Sequence, residues 1–145
     1  MILDTIKKIH RERAVNDVLP VFLAGDFNVG PQWEAYLRMS SSEYMYDLQT
    51  FVDLEQRYGG KITFTGFEPA KNKDEQGRID YIWMGPKDRV CGNWRKGDSL
   101  LLAASEGKED RVWVVGGYAV LPNVFDNGIY LSDHRCVVGD VHLHW

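Results

Sequence analysis

The sequence predicts a layered α/β or α+β domain. Three observations predict it. The chain opens on a helical apolar pattern, continues into a short apolar run that fits a strand, and turns to β patterning after Gly59-Gly60. At 145 residues it has room for one domain with a real core and not for two comfortable ones.

Residues 2–17 read as an amphipathic helix, with Ile2, Leu3, Ile6 and Ile9 on one face and Lys and Arg opposite. After Pro20, residues 21–24 (Val-Phe-Leu-Ala) are too few for a helix and end at Gly25, so they read as a buried strand. Asp26-Phe27-Asn28-Val29-Gly30-Pro31 is loop chemistry. A short helix follows at 32–39, then a serine-rich break. Residues 43–58 fit either regular structure, with helix slightly favoured.

Residues 62–65 and 78–84 read as strands, joined by a polar loop at 68–77. Residues 85–110 combine turn dipeptides, an apolar stretch at 100–104 and a charged run at 106–111, and read as a long connection with one short element. Residues 112–121 form a strand with a bulge expected at Gly116-Gly117. A loop at 122–131 leads to an alternating strand at 135–143.

Bulk composition excludes several classes. The formal net charge of −4 advertises no nucleic-acid binding, although a local basic patch is compatible with it. Cys91 and Cys136 lack metal-ligand spacing and are too few for a disulfide scaffold, so both read as thiols or as one bridge. No apolar run approaches a membrane span, and the first residues do not form a signal peptide. Neither the dinucleotide glycine fingerprint nor the P-loop pattern is present.

Three segments hold residues suited to chemistry. Gly25-Asp26-Phe27-Asn28 follows a strand, where side chains project at a sheet rim. Asp26 and Asn28 suit a phosphate oxygen and a metal-bound water, and equally a turn leading into the next helix. Asp80, in Arg78-Ile79-Asp80-Tyr81-Ile82-Trp83, is costly to bury unless paired. An imidazole is a natural partner; a solvent-facing position or an ion pair with Arg78 are the alternatives. Ser132-Asp133-His134-Arg135 supplies a hard oxygen ligand beside a titratable base, or simply a turn.

Taken together, GDFN, IDYI and SDH, in that order and about fifty residues apart, resemble the endonuclease/exonuclease/phosphatase superfamily. This is the fold of deoxyribonuclease I, abasic-site endonucleases and inositol-phosphate phosphatases. The flanks TFTGF (63–67), YAVLPN (118–123) and GIYLSDHR (128–135) resemble a subgroup common among fungal and bacterial members. The resemblance runs from about Val21 to the C-terminus.

It implies half of a four-layered α/β sandwich, with a mixed, mostly antiparallel sheet and flanking helices. The 145 residues then form the carboxyl-terminal part of one such domain. It implies hydrolysis of a phosphoester, with a nuclease or phosphodiesterase leading and a phosphatase on a small phosphorylated metabolite or inositol phosphate second. An inactive remnant or interaction module is a third possibility. By resemblance, Asp26 positions the attacking water or protonates the leaving oxygen, and Asn28 binds the scissile phosphate. Asp80 orients the catalytic His134, and Asp133 is a metal ligand. Carboxylate ligands suit Mg²⁺ or Mn²⁺. Arg78, Lys71 and Lys73 are candidate phosphate contacts, and Phe67 or Trp33 candidates to stack on a base or sugar. For Trp33, core packing is the better expectation.

The family's first half carries an Asn, a metal-binding Glu and a further His or Tyr, none matched here; Glu12 lacks the strand context. The expectation is therefore a fragment or truncated gene model, with completion by another chain or a natural short form as alternatives. A lost front half would also have taken any signal sequence with it. The 145 residues alone are expected to turn over weakly or not at all. His10, His142 and His144 are expected to be structural or solvent-facing.

Overall fold

Alternation along one strand organises the molecule. In β4 (Asp80–Gly85), Tyr81 and Trp83 point to one side, and Ile82 and Met84 to the other. Both sides are covered, so the strand is apolar throughout. On the first side Tyr81 and Trp83 pack with Tyr36, Met39 and Met45, and with Leu3 and Ile6. These come from helices α1 (Ile2–Arg13) and α2 (Glu34–Ser40) and the loop after α2. On the second side Met84 joins Leu48, Val52, Val90, Val115, Tyr118 and Val120.

This computed structural model describes residues 2–13, 19–68, 71, 73–92 and 112–144. β4 pairs antiparallel with β1 (Val21–Asp26) and with β2 (Tyr46–Asp47), giving the order β1-β4-β2. The second sheet centres on β6 (Val112–Val120). β3 (Arg57–Tyr58) and β5 (Val90–Gly92) run parallel to successive stretches of β6, and β7 (Val137–His144) pairs antiparallel along its length. The α/β class and the mixed, mostly antiparallel pairing match the sequence reading. Among the described residues, no helix is long and apolar enough to cross a membrane.

The bulge falls where the Gly-Gly pair predicts it, as a register shift between Val115 and Gly117. Other elements differ from expectation. The segment 43–58 is not a helix: it holds β2, one turn of helix α3 (Leu48–Phe51), a 3-10 turn (Leu54–Gln56) and β3. Its apolar residues are buried from several directions, which mimics helical spacing. Residues 62–65 are extended and hydrogen-bonded but form only isolated bridges, at Phe64. β1 is less buried than its apolar run suggests, because it is an edge strand and Phe22 is 45% exposed. Phe22 lines an open apolar groove of about 380 Å³ with Ile6, Ile9, His10, Leu19, Pro20 and Val21. In the connection after β4, a 3-10 turn (Lys87–Arg89) precedes β5. The apolar stretch at 100–104, the charged run after it and positions 14–17 of the expected first helix lie outside the described residues.

Candidate active site

β1 and β4 finish building the site at their paired ends. Asp26, the last residue of β1, is the cross-strand partner of Asp80, the first of β4. Cross-strand partners share a sheet face, so the two carboxylates project from the same side. The ladder runs one step further, with the Phe27 amide donating to the Ile79 carbonyl at 2.8 Å. The Phe27 ring packs edge-on against Tyr81, 5.5 Å between centroids, and anchors the loop. Asn28 then turns the chain at φ 53°, a conformation asparagine tolerates better than most residues. Its amide donates to Asp26 Oδ1 at 2.7 Å. The turn foreseen as the alternative for this motif therefore exists. It does not cap the next helix, whose N-cap, Trp33, makes no side-chain cap bond.

Asp80 Oδ2 accepts a hydrogen bond from His134 Nδ1 at 3.0 Å. The two side chains are 14% and 29% exposed. This contact joins motifs 54 residues apart in the chain. The Asp80 hydrogen bond is the largest influence on the imidazole and holds its pKa above the ordinary histidine value. Partial burial opposes this, and the charges of Asp80, Asp133 and Asp26 reinforce it. The Phe64 ring lies 5.1 Å from the imidazole. The His134 amide donates to Ser132 Oγ at 3.0 Å, and the Asp133 carbonyl accepts from the Thr65 amide at 2.9 Å. Asp133 Oδ1 accepts from Ser132 Oγ at a long 3.4 Å.

Arg78 corrects the sequence reading. It is not a surface cation: its guanidinium is buried, and Nη2 donates to both carboxylate oxygens of Asp47 at 2.5 and 2.7 Å. It lies 4.5 Å from the Tyr81 ring centroid, and Tyr36 Oη donates to the same Asp47 carboxylate at 2.8 Å. A cation paired in this way is not available to a phosphate. Lys71 forms a surface ion pair with Glu68 at 2.9 Å, and Lys73 is exposed. Phe67 is 58% exposed, open to solvent beside the TFTGF turn. Trp33 is 60% exposed, contrary to the core packing expected of it. His10 is structural, bonded through Nε2 to the Leu19 carbonyl and through Nδ1 to Tyr44 Oη. His142 is exposed, and the His144 side chain lies outside what is described. Glu12 is on the surface, 3.9 Å from Lys8.

Several residues that shape the site were not singled out from sequence. Thr63 and Thr65 are buried, and Asn123 Nδ2 donates to Thr65 Oγ1 and to the Ser132 carbonyl. Their signal was the recurrence of small hydroxyls in TFTGF and the Pro-Asn of YAVLPN, both read only as flanks. Among the described residues, no three His, Cys, Asp or Glu side chains cluster to hold a metal.

The sequence profile of the endonuclease/exonuclease/phosphatase family matches residues 5–134. No curated protein sequence matches significantly. Among solved structures, an endonuclease/exonuclease/phosphatase from Bacteroides vulgatus superposes with a TM-score of 0.64 at 22% identity, over 98% of this chain and 42% of its own. A mannosyl-6-phosphatase from Bacteroides thetaiotaomicron gives 0.61 at 24% identity, over 99% and 43%. A functionally unknown conserved protein from Enterococcus faecalis gives 0.60 at 20%, over 97% and 42%. The chain thus spans about two fifths of the length of these structures, and the likeness bears on the fold. The match over residues 5–134 shows that the chain belongs to the endonuclease/exonuclease/phosphatase family.

Proposed function

We propose that the chain carries the acid–base and phosphate-binding side of a divalent-metal-dependent phosphoester hydrolase. The observation that carries this reading is the Asp80–His134 hydrogen bond, formed beside the Asp26-Asn28 turn at the same sheet end. Asp80 fixes the imidazole so that Nδ1 is occupied and Nε2 meets a reacting oxygen. The raised pKa keeps His134 protonated further toward neutral pH, where it donates a proton or stabilises charge growing on a phosphoryl oxygen. Asp26 commits Oδ1 to the Asn28 amide and keeps its second oxygen for a water or a leaving oxygen. The Asn28 side-chain amide donates to the phosphate. Asp133 would hold Mg²⁺ or Mn²⁺, which supplies charge neutralisation at the phosphoryl group.

Between the two substrate classes, a small phosphorylated molecule is favoured over nucleic acid. A nucleic-acid site needs several free cations along the backbone. Of the three candidate cations among the described residues, Arg78 is buried against Asp47, Lys71 is paired with Glu68 and Lys73 alone is exposed and unassigned to a partner, and the chain carries a net charge of −4. A mannosyl-6-phosphatase shares the fold, so the fold accommodates a sugar phosphate.

The test compares p-nitrophenyl phosphate with bis-p-nitrophenyl phosphate in Mg²⁺ and in Mn²⁺. The expected result is slow turnover that favours the monoester and vanishes in His134→Ala. Turnover unchanged in a folded His134→Ala protein would refute the reading.

A further inference from the structure

We infer that Thr63 is the positioning residue for the Asp80–His134 pair, because its hydroxyl holds the Asp80 amide while its carbonyl holds the amide of Arg135, the residue next to His134. This rests on the functional reading for its importance, while its test does not depend on turnover.

No strand pairing joins β4 to the 132–135 segment. Yet the hydrogen bond between them tolerates only a few tenths of an ångström before it weakens. Residues 63–65 supply the missing connection. Thr63 has no exposed surface. Its Oγ1 accepts from the amides of both Ile79 and Asp80, each at 3.0 Å. The Asp80 amide is thus held by a side chain at the point where β4 begins. Thr63 also donates its own amide to the Gly77 carbonyl at 3.0 Å. On its other side, the Thr63 carbonyl accepts from the Arg135 amide at 2.6 Å.

The neighbouring residues repeat the pattern. The Thr65 amide holds the Asp133 carbonyl, so His134 sits between two residues that are both bonded to the segment. Phe64 bridges to Gly77 and to His134 and places its ring against the imidazole. Asn123 braces the far side through Thr65 Oγ1 and the Ser132 carbonyl, at 2.8 and 2.7 Å. Both halves of the dyad are therefore held to the same three residues, Asp80 through the Thr63 hydroxyl and the neighbours of His134 through backbone groups of Thr63 and Thr65. Valine matches threonine in shape but has no acceptor, so Thr63→Val orphans two amides at the head of β4. Thr63→Ser keeps the oxygen.

The experiment is NMR of the chain with ¹⁵N-labelled histidine. In the unmutated protein, His134 is expected as the Nδ1–H form, with that proton held against exchange by Asp80. Thr63→Val should lose the protected proton and show the averaged ring nitrogens of a free imidazole. Thr63→Ser should retain the native spectrum. Val52→Ala, which empties core space away from the dyad, should also retain it. A folded Thr63→Val protein with the native His134 signal overturns the proposal, as does loss of that signal in Val52→Ala. Amide exchange in the unmutated protein provides a measurement that needs no variant. Protection at Ile79 and Asp80 comparable to the interior of β4 supports the assignment; unprotected exchange at either overturns it. If His134→Ala leaves turnover intact while these signals behave as expected, the functional reading fails and the positioning role stands.

Discussion

His134 and Asp80 form a pair whose energetics depend on pH in a defined sense. The folded-state pKa of His134 lies above its ordinary value of 6.5. The stability it contributes is complete below 6.5 and is lost as pH rises through the folded value. Asp80→Asn should lower the His134 titration midpoint, followed by NMR. Its destabilisation in urea should be larger at about pH 5.5 than at about pH 8. A midpoint that stays put would remove Asp80 as the cause. The pair was legible in the sequence, because the order of motifs selected both residues. Arg78 was not, because its partner Asp47 lies 31 residues away in a segment of ambiguous pattern. Asp47→Ala should cost about 3–5 kcal/mol, since it strands a buried guanidinium. Arg78→Met should also destabilise, because it leaves the buried Asp47 carboxylate with only the Tyr36 hydroxyl and the Gln49 amide as donors among the described residues.

At the scale of elements, legibility followed periodicity. Strands at 80–85, 112–120 and 137–144 show alternation or apolar runs, and their positions were read to within about two residues. Residues 43–58 show neither, since their shape is set by contacts distant in the chain: β2 by pairing with β4, β3 by pairing with β6. Leu48, fully buried in α3, belongs to the second core and packs its Cδ1 against Gly139. Leu48→Ala should cost about 2–5 kcal/mol in denaturant unfolding. The Asp26-Asn28 turn separates structure from chemistry. Asn28→Gly fits the positive φ, so the fold should survive with unchanged Tm while phosphate affinity falls. Equal affinity would remove the Asn28 amide from the site.

Across the whole molecule, the first sheet is unevenly covered, and β1 departs from the buried strand its apolar run suggests. An apolar run predicts a strand, but not how much of it is covered; that depends on what lies across it. Met84 is fully buried while its cross-strand partner Phe22 is 45% exposed, and β1 is an edge strand. Open, apolar strand edges invite association. Phe22→Lys should reduce self-association in sedimentation without lowering Tm; unchanged association would place the contact elsewhere. The opposite end of the β1–β4 pair carries Asp26 and Asp80, so the site lies at the far rim of this partly covered sheet.

The central claim is that Asn28, Asp133 and His134 act together on a phosphate. Residue-resolved NMR of the chain, titrated with inorganic phosphate in the presence of Mg²⁺, tests it most directly. The account predicts saturable shifts that converge on Asn28, Asp133 and His134 and disappear in Asn28→Ala. Saturable shifts centred elsewhere, or no response at these residues at millimolar phosphate, would contradict it.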